Sequence, residues 1–241
     1  MILRVNGSSS AGNSYILTSN TGDHLLLEAG FKARKIVKSL DYDIKNVKGC
    51  ICSHRHSDHS LDIQGLAKYG IIIGANQNVL EKKSLDPMFC RTLEEGKTYS
   101  FGDFQVAPFD VKHDVPTLGF FIRHPECGTI LFATDCAYLP YKFPNVNHFI
   151  IEANYSDEIL DENILAGIEP YFRKKRLLDT HMSLENCISS IRSCGTSKTK
   201  TITLIHLSSL NSDPELFHKR VAQSFGIPTY IAKPGLSITL K

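Results

Sequence analysis

The stretch Ser53-His54-Arg55-His56-Ser57-Asp58-His59 places four metal-ligand side chains within six positions. His54, His56 and His59 offer imidazoles, which suit zinc, iron or manganese, and Asp58 offers a carboxylate. The loop follows the apolar run Val47–Ser53 and precedes a helical pattern at Leu61–Tyr69. In an extended chain alternate residues point the same way, so His54 and His56 can grip one ion. Where the chain turns into the helix, Asp58 and His59 project together toward a second point. One short loop can therefore serve two divalent ions. The competing reading is a solvated polar loop that happens to hold histidines. Four ligand residues at this spacing behind a hydrophobic strand argue against it.

Two ions need more than four donors. His113, Asp135 and His206 each stand at or just beyond the end of an apolar strand, the first two after Phe104–Asp110 and Thr129–Thr134 and the third closing Thr201–His206. A carboxylate at such a place, beside the metal loop, is positioned to bridge both ions. Two adjacent cations lower the pKa of a shared water from about 15.7 toward about 7, which makes a nucleophile at neutral pH. They also withdraw charge from phosphoryl or carbonyl oxygens as it builds in the transition state. No serine or cysteine nucleophile is needed, and the chain has no G-x-S-x-G elbow. The leaving group then needs a proton. His181, in Asp179-Thr180-His181-Met182-Ser183, is the spare histidine, opening a helix that Ser183 and Asn186 would cap. Asp58 and His181 are thus the catalytic candidates, one inside the metal loop and one outside it. For His181 the alternative is a helix-capping or surface histidine.

These residues must be positioned by a larger frame. The chain has 241 residues, 42% hydrophobic, with net charge +2, enough to bury a full core. Strands are expected at Ile2–Val5, Tyr15–Thr18 and His24–Glu28, separated by a Gly/Ser-rich loop over residues 7–14 and a turn at residues 20–23. A helix over Lys32–Leu40 and the strand Val47–Ser53 lead into the metal loop. Further strands are expected at Gly70–Ala75, Lys97–Phe101, Phe104–Asp110, Gly119–Arg123, Thr129–Thr134, Phe149–Asn154, Thr201–His206, Thr229–Ala232 and Ser237–Leu240. Helices are expected over Asp157–Lys175, interrupted at Pro170, over Ser183–Arg192, and over Pro214–Phe225 behind the capping cluster Asn211-Ser212-Asp213. No linker divides the chain, so one domain, 1–241, is expected, as two sheets face to face with helices outside both. Seven cysteines, an odd number mostly within apolar runs, read as reduced core thiols. No apolar run is long enough to span a bilayer or to serve as a signal peptide, so the expected location is the cytoplasm, with no membrane partner.

The H-x-H-x-D-H loop with a later His, Asp and His resembles the metallo-β-lactamase-fold hydrolases. The run Ser8-Ser9-Ser10-Ala11-Gly12-Asn13-Ser14, with His113-Asp114, Thr134-Asp135, His181-Met182-Ser183 and His206-Leu207-Ser208, is similar to the VicX/YycJ-like subgroup. The resemblance implies a four-layer αββα sandwich of two mixed sheets and two divalent metal ions per chain (Zn, Mn or Fe). It implies one ion on His54, His56 and His113, another on Asp58, His59 and His206, and Asp135 between them. It also implies that His181 protonates the departing oxygen, as in phosphodiesterase-type relatives. One departure is visible. The family usually has Asp where Glu28 stands, an acid that supports the metal loop without binding metal, and Glu28 is one methylene longer.

The subgroup is linked with DNA exonuclease activity, which implies a nucleic-acid partner: single- or double-stranded DNA, or RNA. Arg173-Lys174-Lys175-Arg176 could hold a phosphate backbone beside His181. The alternative is a solvated helix end, where cations are favoured anyway. About 45 residues lie between Asp135 and His181, too few for the inserted domain of β-CASP nucleases. No Gly/Pro-rich arm like that of tRNA-processing relatives is present. The expected activity is therefore a binuclear-metal phosphodiesterase acting on nucleic-acid ends. The same site with incidental basic residues would instead serve a small cyclic phosphodiester or a lactone. A non-catalytic metal-binding regulator is the third reading, and the complete ligand set argues against it.

Overall fold

A computed structural model describes residues 1–194 and 197–241. Seven strands form the first sheet: β1 (Ile2–Ser9), β2 (Gly12–Thr18), β3 (His24–Leu27), β4 (Val47–Ile51), β5 (Ile73–Ala75), β6 (Cys90–Thr92) and β14 (Ser237–Thr239), in the order β14-β1-β2-β3-β4-β5-β6. Seven more form the second: β7 (Tyr99–Phe101), β8 (Phe104–Val111), β9 (Thr117–His124), β10 (Gly128–Ala133), β11 (His148–Glu152), β12 (Thr201–Ile205) and β13 (Thr229–Ile231), in the order β13-β12-β11-β10-β9-β8-β7. Both sheets are mixed. β3 to β6 run parallel, as do β10 to β13, while the hairpins at the other side are antiparallel.

The continuously apolar strands explain the layers. Successive side chains leave opposite faces of a strand, so a strand apolar throughout must be covered twice. Leu25 and Leu27 enter a core between the sheets with Val106, Phe120, Phe132 and Ile150. Leu26, between them, packs outward on α1 (Ala33–Ser39), α3 (Ile63–Lys68) and α4 (Gln77–Lys82). In the second sheet Ile150 faces the central core, while its neighbours Phe149 and Ile151 face α7 (Leu184–Cys194) and α8 (Pro214–Phe225). The result is the expected αββα sandwich.

Local differences have physical causes. Most of residues 7–14 is not a loop: Gly7 pairs with Ser14 and Ser8 with Asn13 in the β1–β2 ladder, past a register shift between Val5 and Gly7. Asn13 and Ser14 are buried there, and Ser8 Oγ bonds to the Tyr15 hydroxyl at 2.7 Å. The helix expected at Leu61–Tyr69 starts at Ile63 as α3, a separate turn α2 (Ser57–Ser60) forms within the metal loop, and Asp62 between them accepts from the Ala33 backbone N–H at 2.8 Å. The segment before His181 forms α5 (Asp157–Leu165) and α6 (Tyr171–Thr180). Pro170 precedes the first residue of α6, where a missing N–H costs nothing. Arg173–Arg176 therefore occupies the third to sixth positions of a ten-residue helix, and not a helix C-terminus. The short elements α4 and β6 carry too little periodicity to be read in advance. All seven cysteines are free, six of them buried. No helix among the described residues is long and apolar enough to cross a membrane.

Candidate metal centre

The chemically competent residues collect at the carboxyl ends of the parallel strands, where ligands gather in α/β sheets. Glu28 follows β3, His54 follows β4, Asp135 follows β10, Glu152 ends β11 and His206 follows β12. His113 follows β8, and His181 caps α6 from across the opening. Glu28, Asp135 and His206 hold φ of 65°, 51° and 55°, the left-handed region that L-residues rarely adopt. Three strained turns at one place mark a site that the surrounding fold over-determines. Gly30 explains how tightly the metal loop is seated: a Cβ there would stand 1.8 Å from the Asp58 carbonyl oxygen.

Two groups of candidate donors converge. His54, His56, His113 and Asp135 form one, and Asp58, His59, Asp135 and His206 the other, with the donor atoms of each within 4.8 Å of one another. Asp135 is common to both. His113 Nδ1 lies 2.9 Å from the Thr180 carbonyl oxygen, which can only accept, so this nitrogen carries the proton. His113 Nε2 is left as a lone pair, 3.4 Å from His56 Nδ1 and 3.7 Å from Asp135 Oδ2. His54 Nε2 stands 3.0 Å from His56 Nδ1 and 3.8 Å from Asp135 Oδ2. Lone pairs turned toward one another fit a shared cation.

The second group shows the same need through its field. Burial opposes a charge on His206, yet Asp135, Asp58 and Glu152 outweigh it and push the imidazole up to about 10. His59 is raised too, against burial, by Asp135, Asp58 and Glu28. Burial likewise disfavours the ionised Asp58, but bonds from His206 and His59 hold its carboxyl below the usual range. The anionic pocket that holds protons on two buried rings would hold a divalent ion in their place. His59 Nε2 lies 3.2 Å from Asp135 Oδ1 and 3.3 Å from Asp58 Oδ2, and His206 Nε2 lies 3.4 Å from Asp58 Oδ2.

Glu28 reaches the loop despite its extra methylene. It is fully buried, and Oε1 accepts from the Ser53 backbone N–H at 3.1 Å. Oε2 stands 3.5 Å from His59 Nδ1.

Glu152 is the residue that sequence reasoning missed. It is fully buried, and Oε2 accepts backbone N–H bonds from Cys136 at 3.1 Å and Met182 at 3.2 Å. Its Oε1 lies 2.8 Å from His181 Nδ1 and 3.1 Å from His206 Nδ1. Burial lowers the charge preference of His181, but Glu152 outweighs it and holds the ring above its ordinary pKa. Glu152, Asp135, His181 and His206 form a third group within ligand reach. The available signal was an acid ending the apolar strand His148–Glu152, the same context as the metal donors.

The basic cluster divides around this centre. A 500 Å³ cavity above the donors is lined by His56, Asp58, His113, His181 and Arg176. Arg176 pairs with Asp114 at 3.0 Å. Arg173 lines an adjoining cavity, Lys174 pairs with Asp161, and Lys175 lines neither cavity. A larger space of 950 Å³, behind the β1–β2 hairpin and lined by Phe31 and Tyr230, touches none of the donors.

The family model for the beta-lactamase superfamily domain matches residues 23–207. Exodeoxyribonuclease WalJ of Streptococcus pneumoniae is 31% identical over 229 residues, covering 88% of this chain and 83% of that protein. Exodeoxyribonuclease YycJ of Bacillus anthracis is 30% identical over 234 residues, covering 90% and 86%. The crystal structure of the metallo-beta-lactamase fold protein YhfI from Bacillus subtilis superposes with a TM-score of 0.76 at 18% identity, covering 98% of both chains.

Proposed function

Since the chain belongs to the beta-lactamase superfamily, we propose that it is a binuclear-metal phosphodiesterase that degrades nucleic acid from its ends, DNA foremost. It is a metal-dependent hydrolase, and the two exodeoxyribonucleases similar to it over most of their length favour the nuclease reading. The observation that carries it is the pair His181–Glu152. A phosphodiester releases a poor alkoxide and needs a proton donor, and His181 is set beside the donor cluster with Nδ1 anchored 2.8 Å from a buried carboxylate.

His54, His56 and His113 would hold one ion and Asp58, His59 and His206 the other, with Asp135 between. Zinc, manganese and iron all suit five imidazoles and two carboxylates. Divalent ions held there supply an activated water and neutralise charge on the phosphoryl oxygens. The protein supplies the rest. Glu152 takes the Nδ1 proton of His181 inward and favours the imidazolium, whose second proton, on Nε2, would go to the leaving oxygen. Arg176, on the rim, meets the backbone of the strand. Glu28 and the strained turns hold the ligand loops in register. In this reading residues 1–241 form one catalytic domain working in the cytoplasm.

A small phosphodiester or lactone is the second reading, favoured by the partners Asp114 and Asp161, which already occupy Arg176 and Lys174. Incubation with end-labelled single-stranded DNA under zinc, manganese and iron tests the proposal. Stepwise loss of nucleotides from one end supports it, and hydrolysis of bis(p-nitrophenyl) phosphate without any cleavage of DNA overturns it.

A further inference from the structure

A second cavity, 510 Å³, opens beside the metal centre and shares Ser10, Arg176, Leu177, His181 and Ser208 with it. Its outer wall is Phe172, 78% exposed and turned to water on the first turn of α6. Its floor is Glu169, 8% exposed. One carboxylate oxygen of Glu169, Oε2, accepts from the Asn211 amide at 3.1 Å. The other, Oε1, is buried and has no hydrogen-bond partner among the described residues. Its nearest cation is the Arg173 guanidinium, 3.7 Å away and beyond hydrogen-bond range, which lies 5.9 Å from the centre of the Phe172 ring.

An exposed phenylalanine is costly to leave in water, and a buried carboxylate oxygen is costly to leave without a donor. Both residues line one cavity, which adjoins the candidate metal centre. A planar group that stacks on an aromatic ring and carries an N–H donor at its edge satisfies both. Arg173 approximates that arrangement with its own planar guanidinium. Charge complementarity points the same way, since Arg173 and Arg176 flank the opening with side chains 64% and 72% exposed.

We infer that this cavity is a nucleobase subsite, in which an unpaired base next to the bond being cut stacks on Phe172 and donates an amino N–H to Glu169 Oε1. The inference rests on the nuclease reading and names its substrate: a single-stranded end. When the base enters, Arg173 leaves the acid and meets the strand's phosphate. Cytosine presents an exocyclic amino group, a known donor to Glu. Thymine has no amino group, and its imino N–H is flanked by two carbonyl oxygens that a carboxylate repels. The subsite therefore favours cytosine over thymine.

The test measures binding of fluorescein-labelled phosphorothioate decamers, (dC)10 and (dT)10, to the metal-loaded full chain by fluorescence polarisation. These strands resist hydrolysis, so binding is read apart from cleavage. (dC)10 is expected to bind about fivefold tighter than (dT)10. Phe172→Ala weakens both by about tenfold, within the range for loss of one stacked base. Glu169→Gln, whose amide can donate to the carbonyls of thymine, erases the preference while binding persists. Tyr171→Ala, an equally exposed aromatic that lines neither cavity, leaves both affinities unchanged. Equal binding of the two strands, or Phe172→Ala binding like the parent, overturns the subsite. Cleavage of ordinary decamers is scored separately: base-selective binding without cleavage would sink the nuclease reading and leave the subsite standing.

Discussion

The Nδ1 nitrogen of His181 lies 2.8 Å from Oε1 of Glu152, a carboxylate sealed from solvent among four protein donors. Glu152→Gln keeps the volume but removes the charge, and its amide N–H₂ must face either the two imidazoles or the two backbone N–H groups. The expected result is a fall in kcat on single-stranded DNA of about 10²-fold or more, the scale of general-acid catalysis, with KM little changed. Metal content of the purified variant should fall as well, since the same oxygen steadies His206. A kcat within twofold of the parent would remove Glu152 from the mechanism.

Glu28 supports the loop that carries four of the donors. Glu28→Ala leaves the buried Ser53 N–H without its acceptor, at a cost of about 1–3 kcal/mol. Removing a group that steadies metal ligands commonly weakens metal affinity 10- to 100-fold. Thermal unfolding and competition against a chelator measure the two effects. Unaltered metal affinity would show that Glu28 serves the fold alone.

The basic residues of α6 should separate by face. Reversing Arg173 and Arg176 to Glu is expected to raise KM for DNA and to reduce the slope of log affinity against log salt by about one for each phosphate left without its cation. Reversing Lys174 and Lys175 should do much less, because Lys174 turns to Asp161 and Lys175 lines neither cavity. Equal effects from the two pairs would indicate a diffuse charge attraction and no path along the helix.

His148 gives the fold an acid limit away from the metal centre. It is fully buried with Nδ1 2.8 Å from the Thr201 hydroxyl, and burial, then Lys200, lower its pKa to about 4. The unfolded chain protonates it near 6.5 while the folded one resists until about 4. Stability from this group is therefore complete above about pH 6.5 and is lost as pH falls toward 4. Denaturant unfolding at pH 7.5 and 4.5 should show the parent losing about 2 kcal/mol more than His148→Gln. Equal losses would contradict the assignment.

The candidate donors could be picked out in the sequence because their spacing is local. Four ligands share one loop, and His113, Asp135 and His206 each follow an apolar strand whose end can be read from composition. Glu152 was not legible, although it ends such a strand, because its partners His181 and His206 lie 29 and 54 residues away. The β1–β2 hairpin was hidden by Ser and Gly, which read as turn residues until their side chains are seen bonding inward. The basic run 173–176 looked like one patch, and only the helix start after Pro170 divides it between two cavities and a salt bridge.

The most direct test of the central claim is the rate of nucleotide release from end-labelled single-stranded DNA by metal-loaded parent and His181→Ala proteins, with bound metal measured in the same samples. The account predicts cleavage by the parent, and a loss of about 10²- to 10⁴-fold in the variant at unchanged metal content. Equal rates for the two proteins, at equal metal content, would contradict it.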